Sequence, residues 1–215
     1  MLLNRVEYLL MNNPLRAAIQ RRFEARRLLK MGGQLPGGCV LEIGCGRGVG
    51  TELIFDVFGA NRVDAFDLDP RMVRLAQRRT RRYGDRVRIW EGDVTAIAVP
   101  DSRYDAVFDF GIIHHVPDWR AAVAEVARVL RPQGRFYAEE VFGRFLNRFP
   151  WRSLLNHPRE DRFDARQFAE ALTAAGLTVV ATADWRGDFG WFIAERGGAV
   201  SGLGENSRGA KAGGC

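Results

Sequence analysis

Residues 40–50 read Val-Leu-Glu-Ile-Gly-Cys-Gly-Arg-Gly-Val-Gly, and this stretch narrows the choice of fold more than any other in the chain. A short apolar run ends in alternating glycines and passes at Thr51-Glu52-Leu53-Ile54 into a helical pattern. Strand, bare turn and helix in that order open an α/β unit whose turn lets backbone approach a ligand closely. Two ligand classes use such a turn. A dinucleotide fingerprint, G-x-G-x-x-G counted from Gly44, requires glycine at position 49 and meets Val49 instead. It also presents the turn to a pyrophosphate, which a carboxylate such as Glu42 at the strand end would repel. Glu42 beside bare glycines suits a ligand that carries positive charge.

The alternation begun there continues down the chain. Strands are predicted at Val40–Ile43, Arg62–Asp67, Val87–Trp90, Tyr104–Phe110 and Arg135–Val141, with two more at Leu177–Ala183 and Phe189–Glu195. Helical patterns separate most of them: one after the turn to about Phe58, one opened by Pro70, one over Arg120–Leu130, and one over Ala165–Ala175 with Asp164 as its cap. The short connection Asp184–Asp188 predicts an antiparallel hairpin. The fold class expected is α/β: a doubly wound, Rossmann-like, seven-stranded and mostly parallel sheet with an antiparallel last strand. Acidic residues fall at successive strand ends, where open α/β sheets bind ligands. Asp67 closes the second strand, where a carboxylate typically accepts hydrogen bonds from ribose hydroxyls. Asp93 follows the third, and Glu139-Glu140 end the fifth. Strand alternation predicts that one of those two glutamates faces the pocket.

Taken together, Glu42-x-Gly44-x-Gly46-x-Gly48 resembles motif I of the class I S-adenosylmethionine (SAM)-dependent methyltransferases. Ile113-His114-His115-Val116 is similar to the stretch that follows strand four in small-molecule members, and Arg131-Pro132-Gln133-Gly134 to the family's L-[KR]-P-G-G turn, with Gln133 in place of the first glycine. The resemblance implies SAM as cofactor. Glu42, Gly44, Cys45, Gly46 and Gly48 would hold its methionine end, Asp67 its ribose, and Asp93-Val94 its adenine, with Leu68, Met72 and Phe110 beside them. Candidate proton acceptors are His114, His115, Glu139 and Glu140, since imidazole and pocket carboxylates can take a proton from an acceptor. The two histidines can equally support the cofactor pocket and orient the loop. No metal is expected, because no third ligand stands at recognisable spacing from the His pair.

The remaining segments bear on partners. Residues 1–33 read as a helical extension, broken at Asn12-Asn13-Pro14, with apolar residues at helical spacing among arginines. It can form a lid, rest on a membrane surface or pack on the sheet. The methyltransferase domain is expected over 34–196, with an aromatic acceptor-side insertion at 142–163 that includes Trp151, and a disordered tail over 197–215. The formal net charge is +6, almost all of it arginine; Lys30 and Lys211 are the lysines. Nucleic acid is nevertheless not expected as a partner. The arginine run at 74–82 has no interleaved aromatics for base stacking, and the Asn/Asp-Pro-Pro-aromatic motif of base amino-methyltransferases is missing. A small, hydrophobic, aromatic or lipid-like acceptor fits better. Three other readings stay open: an RNA or protein methyltransferase using the basic surface, a nicotinamide oxidoreductase, and a non-catalytic SAM-binding module. Three cysteines without metal spacing, and the lack of a leader-like N-terminus, give cytoplasm as the expected location.

Overall fold

The computed structural model describes residues 13–147 and 161–198. The start of the helical extension, Trp151 with most of the insertion, and the tail beyond residue 198 lie outside the described residues. Seven strands form one sheet in the order β3-β2-β1-β4-β5-β7-β6. They are β1 (Cys39–Ile43), β2 (Arg62–Asp67), β3 (Val87–Glu91), β4 (Tyr104–Phe110), β5 (Leu130–Val141), β6 (Leu177–Trp185) and β7 (Phe189–Arg196). The first five are parallel to their neighbours, while β7 runs antiparallel between β5 and β6. The order reverses between β1 and β4, which opens a crevice at their C-terminal ends.

Helices cover both faces, so every residue of β1 is buried and its sequence is nearly all apolar. On one face α5 (Trp119–Val129) and α7 (Ala165–Ala174) bury Trp119, Val126, Phe168 and Leu172 against Phe136 and Phe192. On the other, α2 (Ala25–Gly32) and α3 (Val49–Asp56) bury Leu28, Leu53 and Ile54 against Phe108 and Tyr137. Side-chain caps fix where the helices begin. Asn13 caps α1 (Pro14–Ile19), Asp69 caps α4 (Pro70–Thr80), and Asp164 with Gln167 forms a reciprocal capping box on α7.

Several local features differ from the sequence expectation. A π-helical segment, Gln20–Glu24, joins α1 to α2 without a break. The turn expected at Arg131–Gly134 lies inside a longer β5, as an irregularity opposite Tyr104 and Ala106 with Gln133 at φ 66°. The arginine run keeps to an exposed face, as a solvated helix side does, and from it Arg79 and Arg82 pair with Glu52 at 3.1 Å and Asp56 at 2.8 Å. From the insertion, Phe142 and Phe163 are core residues that meet Phe168, Phe192 and Trp119.

Gly32 sets the contact of α2 with the sheet. Its carbonyl accepts from the Tyr137 hydroxyl at 2.7 Å and from Arg135 at 2.9 Å. A Cβ there would lie 2.3 Å from the Tyr137 ring. Gly32→Ala should therefore destabilise the fold by about 1–3 kcal/mol, the usual cost of overpacking a filled site. Urea unfolding measures this, and an unchanged midpoint would show that the helix sits loosely on the sheet.

Candidate functional site

The crevice is a cavity of about 390 Å³, within the range of small-molecule sites. The glycine turn after β1 forms its floor. Cys45 donates its backbone N–H to Phe66 O at 2.9 Å, and Gly48 to Cys45 O at 2.9 Å, which folds the turn back on itself. Gly44 has φ 62°, and a Cβ on it would meet Ile112 at 2.6 Å. The turn therefore packs directly under the loop after β4.

Three carboxylates stand around this floor. Glu42, at the end of β1, is buried and accepts a hydrogen bond from the Thr51 hydroxyl. Burial pushes its pKa up to about 8, against the pull of that bond, with Asp67 and Asp109 adding to the rise. Gly50 is what admits it: a Cβ on Gly50 would lie 2.0 Å from Glu42 Oε1. Asp67, at the end of β2, accepts from the backbone N–H groups of Gly46 and Asp69, each at 2.8 Å. Burial raises its pKa and those two bonds oppose the rise. A carboxylate offers about four acceptor positions, so two remain for a ligand. Asp93, after β3, takes both the N–H and the hydroxyl of Thr95 on Oδ1 at 2.8 Å, and these bonds hold its pKa down.

All but one of the expected cofactor residues line this cavity: Glu42, Gly44, Cys45, Gly46, Asp67, Leu68, Met72, Asp93, Val94 and Phe110. The exception is Gly48, which stands behind the turn as the left-handed N-cap of α3, φ 83°. Of the expected proton acceptors only His115 lines the cavity. His114 lies off it, turned back against β5, with its Nδ1 2.6 Å from Glu140 Oε2.

Alternation on β5 does separate the two glutamates, but neither lines the cavity, and this corrects the expectation that one would. Both are buried on their own faces of the sheet. Glu140 accepts the backbone N–H groups of Ile113 and His114 at 2.8 and 3.2 Å, which fastens the loop after β4. Its pKa is raised to about 7 by burial, opposed first by a hydrogen bond from Asp109. Asp109 is pushed well above the usual carboxylate range by burial and by Glu140, so it keeps the proton the two share. Glu139 lies near Glu24 and Arg16 of the N-terminal helix; burial and Glu24 raise its pKa well above the usual range.

Several lining residues carry no readable sequence signal. Arg16, Ala17 and Gln20 reach the cavity from the N-terminal helix, and Pro117 and Asp118 from just before α5. Their place depends on a helix crossing the sheet edge, which periodicity cannot show. Thr51 was detectable in principle, as a hydroxyl on the first turn of α3, but nothing in sequence ties it to Glu42. Among the described residues no cluster of three His, Cys, Asp or Glu side chains could hold a metal, and no helix is long and apolar enough to cross a membrane.

Residues 40–134 match the family model described as a methyltransferase domain. An S-adenosylmethionine-dependent methyltransferase of Mycolicibacterium smegmatis is 36% identical over 144 residues, which cover 65% of this chain and 52% of that protein. A malonyl-[acyl-carrier protein] O-methyltransferase of Serratia marcescens is 34% identical over 118 residues, covering 55% and 44%. The chain thus spans about half the length of these relatives. In structure, a chain from the complex of the Haloferax volcanii Trm112 methyltransferase activator with a methyltransferase superposes with TM-score 0.73 at 20% identity, covering 90% of this chain and 99% of that one. The sheet order, the crevice with its carboxylates and these matches agree, and residues 40–134 are a methyltransferase domain similar to those of SAM-dependent methyltransferases.

Proposed function

We propose that this chain moves a methyl group from SAM to a nucleophilic atom of a small, hydrophobic, lipid-like acceptor. The observation that carries the cofactor half is Glu42, a buried carboxyl that has kept its proton in a cavity floored by glycines and lined also by Asp67 and Asp93. Such a group gains most from a cationic ligand. Glu42 would hold the charged amino end, Asp67 the ribose through its two remaining acceptor positions, and Asp93 the adenine amino group beside Val94. SAM, when bound, supplies a methyl already activated by a sulfonium. The protein's share is then positioning, and removal of any proton the acceptor releases.

The acceptor half rests on different residues. Ala17, Ile112, Val116 and Pro117 give the rest of the cavity an apolar wall, and His115 is the imidazole placed on it. His115 is the candidate proton acceptor; Glu140 serves as a positioning residue, since it holds the loop on which His115 sits. Relatives named for malonyl-acyl carrier protein and for fatty acids as O-methyl acceptors support an acyl or lipid-like compound.

Three outcomes test this. Calorimetry should show micromolar binding of S-adenosylhomocysteine and none of NADH, and Asp67→Asn, which keeps one acceptor oxygen for the backbone, should weaken the first at least tenfold. Unchanged affinity would remove Asp67 from the ribose site. The second concerns pH. A cation binds the ionised form of Glu42, whose pKa is raised, so binding must expel the proton that Glu42 holds below pH 8. Affinity for S-adenosylhomocysteine should rise by roughly tenfold per pH unit between pH 6 and 7 and level off near 8. Glu42→Gln should bind more weakly and without that slope; a slope that survives it would assign the proton elsewhere. Finally, His115→Ala should lower turnover of a fatty-acid acceptor at least tenfold with cofactor affinity unchanged. Full turnover in that variant would leave His115 a wall residue.

A further inference from the structure

The exposed large hydrophobic residues are not scattered. Among the described residues they are Leu15, Ile19, Phe23, Leu68, Val180 and Trp185. Val180 alone lies in mid-strand. Leu68 follows β2 and Trp185 ends β6 beside Phe189, whose register partner is Val141 at the end of β5. Both therefore stand at the C-terminal edge of the parallel strands, the edge where the cavity opens. Leu15, Ile19 and Phe23 recur every fourth residue along the N-terminal helix, which reaches that same edge through Arg16, Ala17 and Gln20. One side of this helix lines the cavity while the other holds Leu15 and Phe23 at 70% exposure.

Charge is equally one-sided. From Pro14 to Gly32 the exposed side chains are apolar or cationic: Arg21, Arg22, Arg26, Arg27 and Lys30. The one acidic residue in the segment, Glu24, is buried against Arg16. Arg22, Arg26 and Lys30 continue the face begun by Leu15, Ile19 and Phe23 at helical spacing. A solvated amphipathic helix normally mixes both signs on its outer face; an apolar stripe with arginines alone is the arrangement that lies in a bilayer interface.

The geometry points to a membrane-docking face: the outer side of the Pro14–Lys30 helix, with Leu68 and Trp185, seats on an anionic lipid surface and turns the cavity mouth toward the bilayer. Leu15, Ile19 and Phe23 enter the headgroup region, Trp185 sits at its boundary as interfacial tryptophans do, and the arginines meet anionic headgroups. This deepens the lipid-like-acceptor reading by giving such an acceptor a route in from the bilayer. Docking itself is read out without cofactor or acceptor, so either idea can fail while the other stands.

The test is co-sedimentation of the full chain with phosphatidylcholine vesicles, with and without phosphatidylglycerol. Wild type should pellet with the anionic vesicles and stay in solution with the neutral ones, and salt should release it. Arg22→Glu with Arg26→Glu should lower the vesicle affinity by more than about twenty-fivefold, at about fivefold for each lost arginine. Phe23→Asp should lower it by at least tenfold. S-adenosylhomocysteine affinity should match wild type in both variants, which shows that they fold. Failure of wild type to pellet with anionic vesicles overturns the proposal, as does undiminished binding by Phe23→Asp. A chain that ignores vesicles but binds single-stranded RNA through the same arginines would make this face a nucleic-acid surface instead.

Discussion

Glu42 lies in the middle of the sheet at the point where strand order reverses, covered by Phe110 and by a helix turn that Gly50 keeps free of side chain. Ionising a carboxyl in such a place costs several kcal/mol unless a cation meets it. Its neighbours are a hydroxyl and two further carboxyls, Thr51, Asp67 and Asp109, so it stays protonated. Much of the local design follows from keeping this group where it is. Thr51 must stand on the first turn of α3, Gly50 must lack a Cβ, and the turn between must fold back through Gly44 to bring α3 overhead. Asp67 and Asp109 come from the two strands flanking β1, and both add to the rise in the Glu42 pKa. A cation brought against Glu42 would favour its ionised form and so displace that proton.

The glycine turn, the strand-end carboxylates and the limits of β2 and β4 were legible because each obeys a local rule. Strand β2 and strand β4 occupy the spans their apolar patterns predict, and Pro70 and Asp164 mark helix starts by backbone chemistry that needs no tertiary context. What periodicity could not reach is anything decided across elements. On β5 the alternation rule correctly set Glu139 and Glu140 on opposite faces, yet both faces are covered. Asp109 and the loop after β4 meet one, and the N-terminal helix meets the other. Two aromatic residues of the insertion mislead for the same reason. Phe142 and Phe163 have the composition of a binding wall but complete the core over Phe168. Arg16 and Gln20 were invisible as cavity residues because the helix that carries them owes its position to the sheet beneath it.

Two carboxyl systems off the cavity hold its upper walls, and they differ in kind. The Asp109–Glu140–His114 group is internal to the sheet and its own loop: one shared proton, the backbone N–H groups of Ile112, Ile113 and His114, and an imidazole. It fixes Ile112 and His115 relative to the glycine turn, which already touches Ile112. Such a network is fully satisfied only with that loop in one conformation, so it specifies geometry more than it adds stability.

The second system reaches between elements. Arg16 donates to Glu24 at 2.5 Å along its own helix, and both lie beside Glu139 of β5. From the glycine turn, Arg47 reaches the carbonyl of Asn13 at 2.9 Å, the residue that caps the same helix. The helix is therefore held at its start by the glycine turn and further along by β5. Ala25 and Leu28 bury the apolar face of this helix, and apolar contact alone opposes a slip less strictly than buried charge does. Buried charges do not tolerate such a slip, since a displaced Arg16 would leave Glu24 and Glu139 without a cation in a dry site. The expense of burying these groups is thus offset by registry. It keeps Ala17 and Gln20 on the cavity, and by the same rotation it keeps Leu15, Ile19 and Phe23 facing outward.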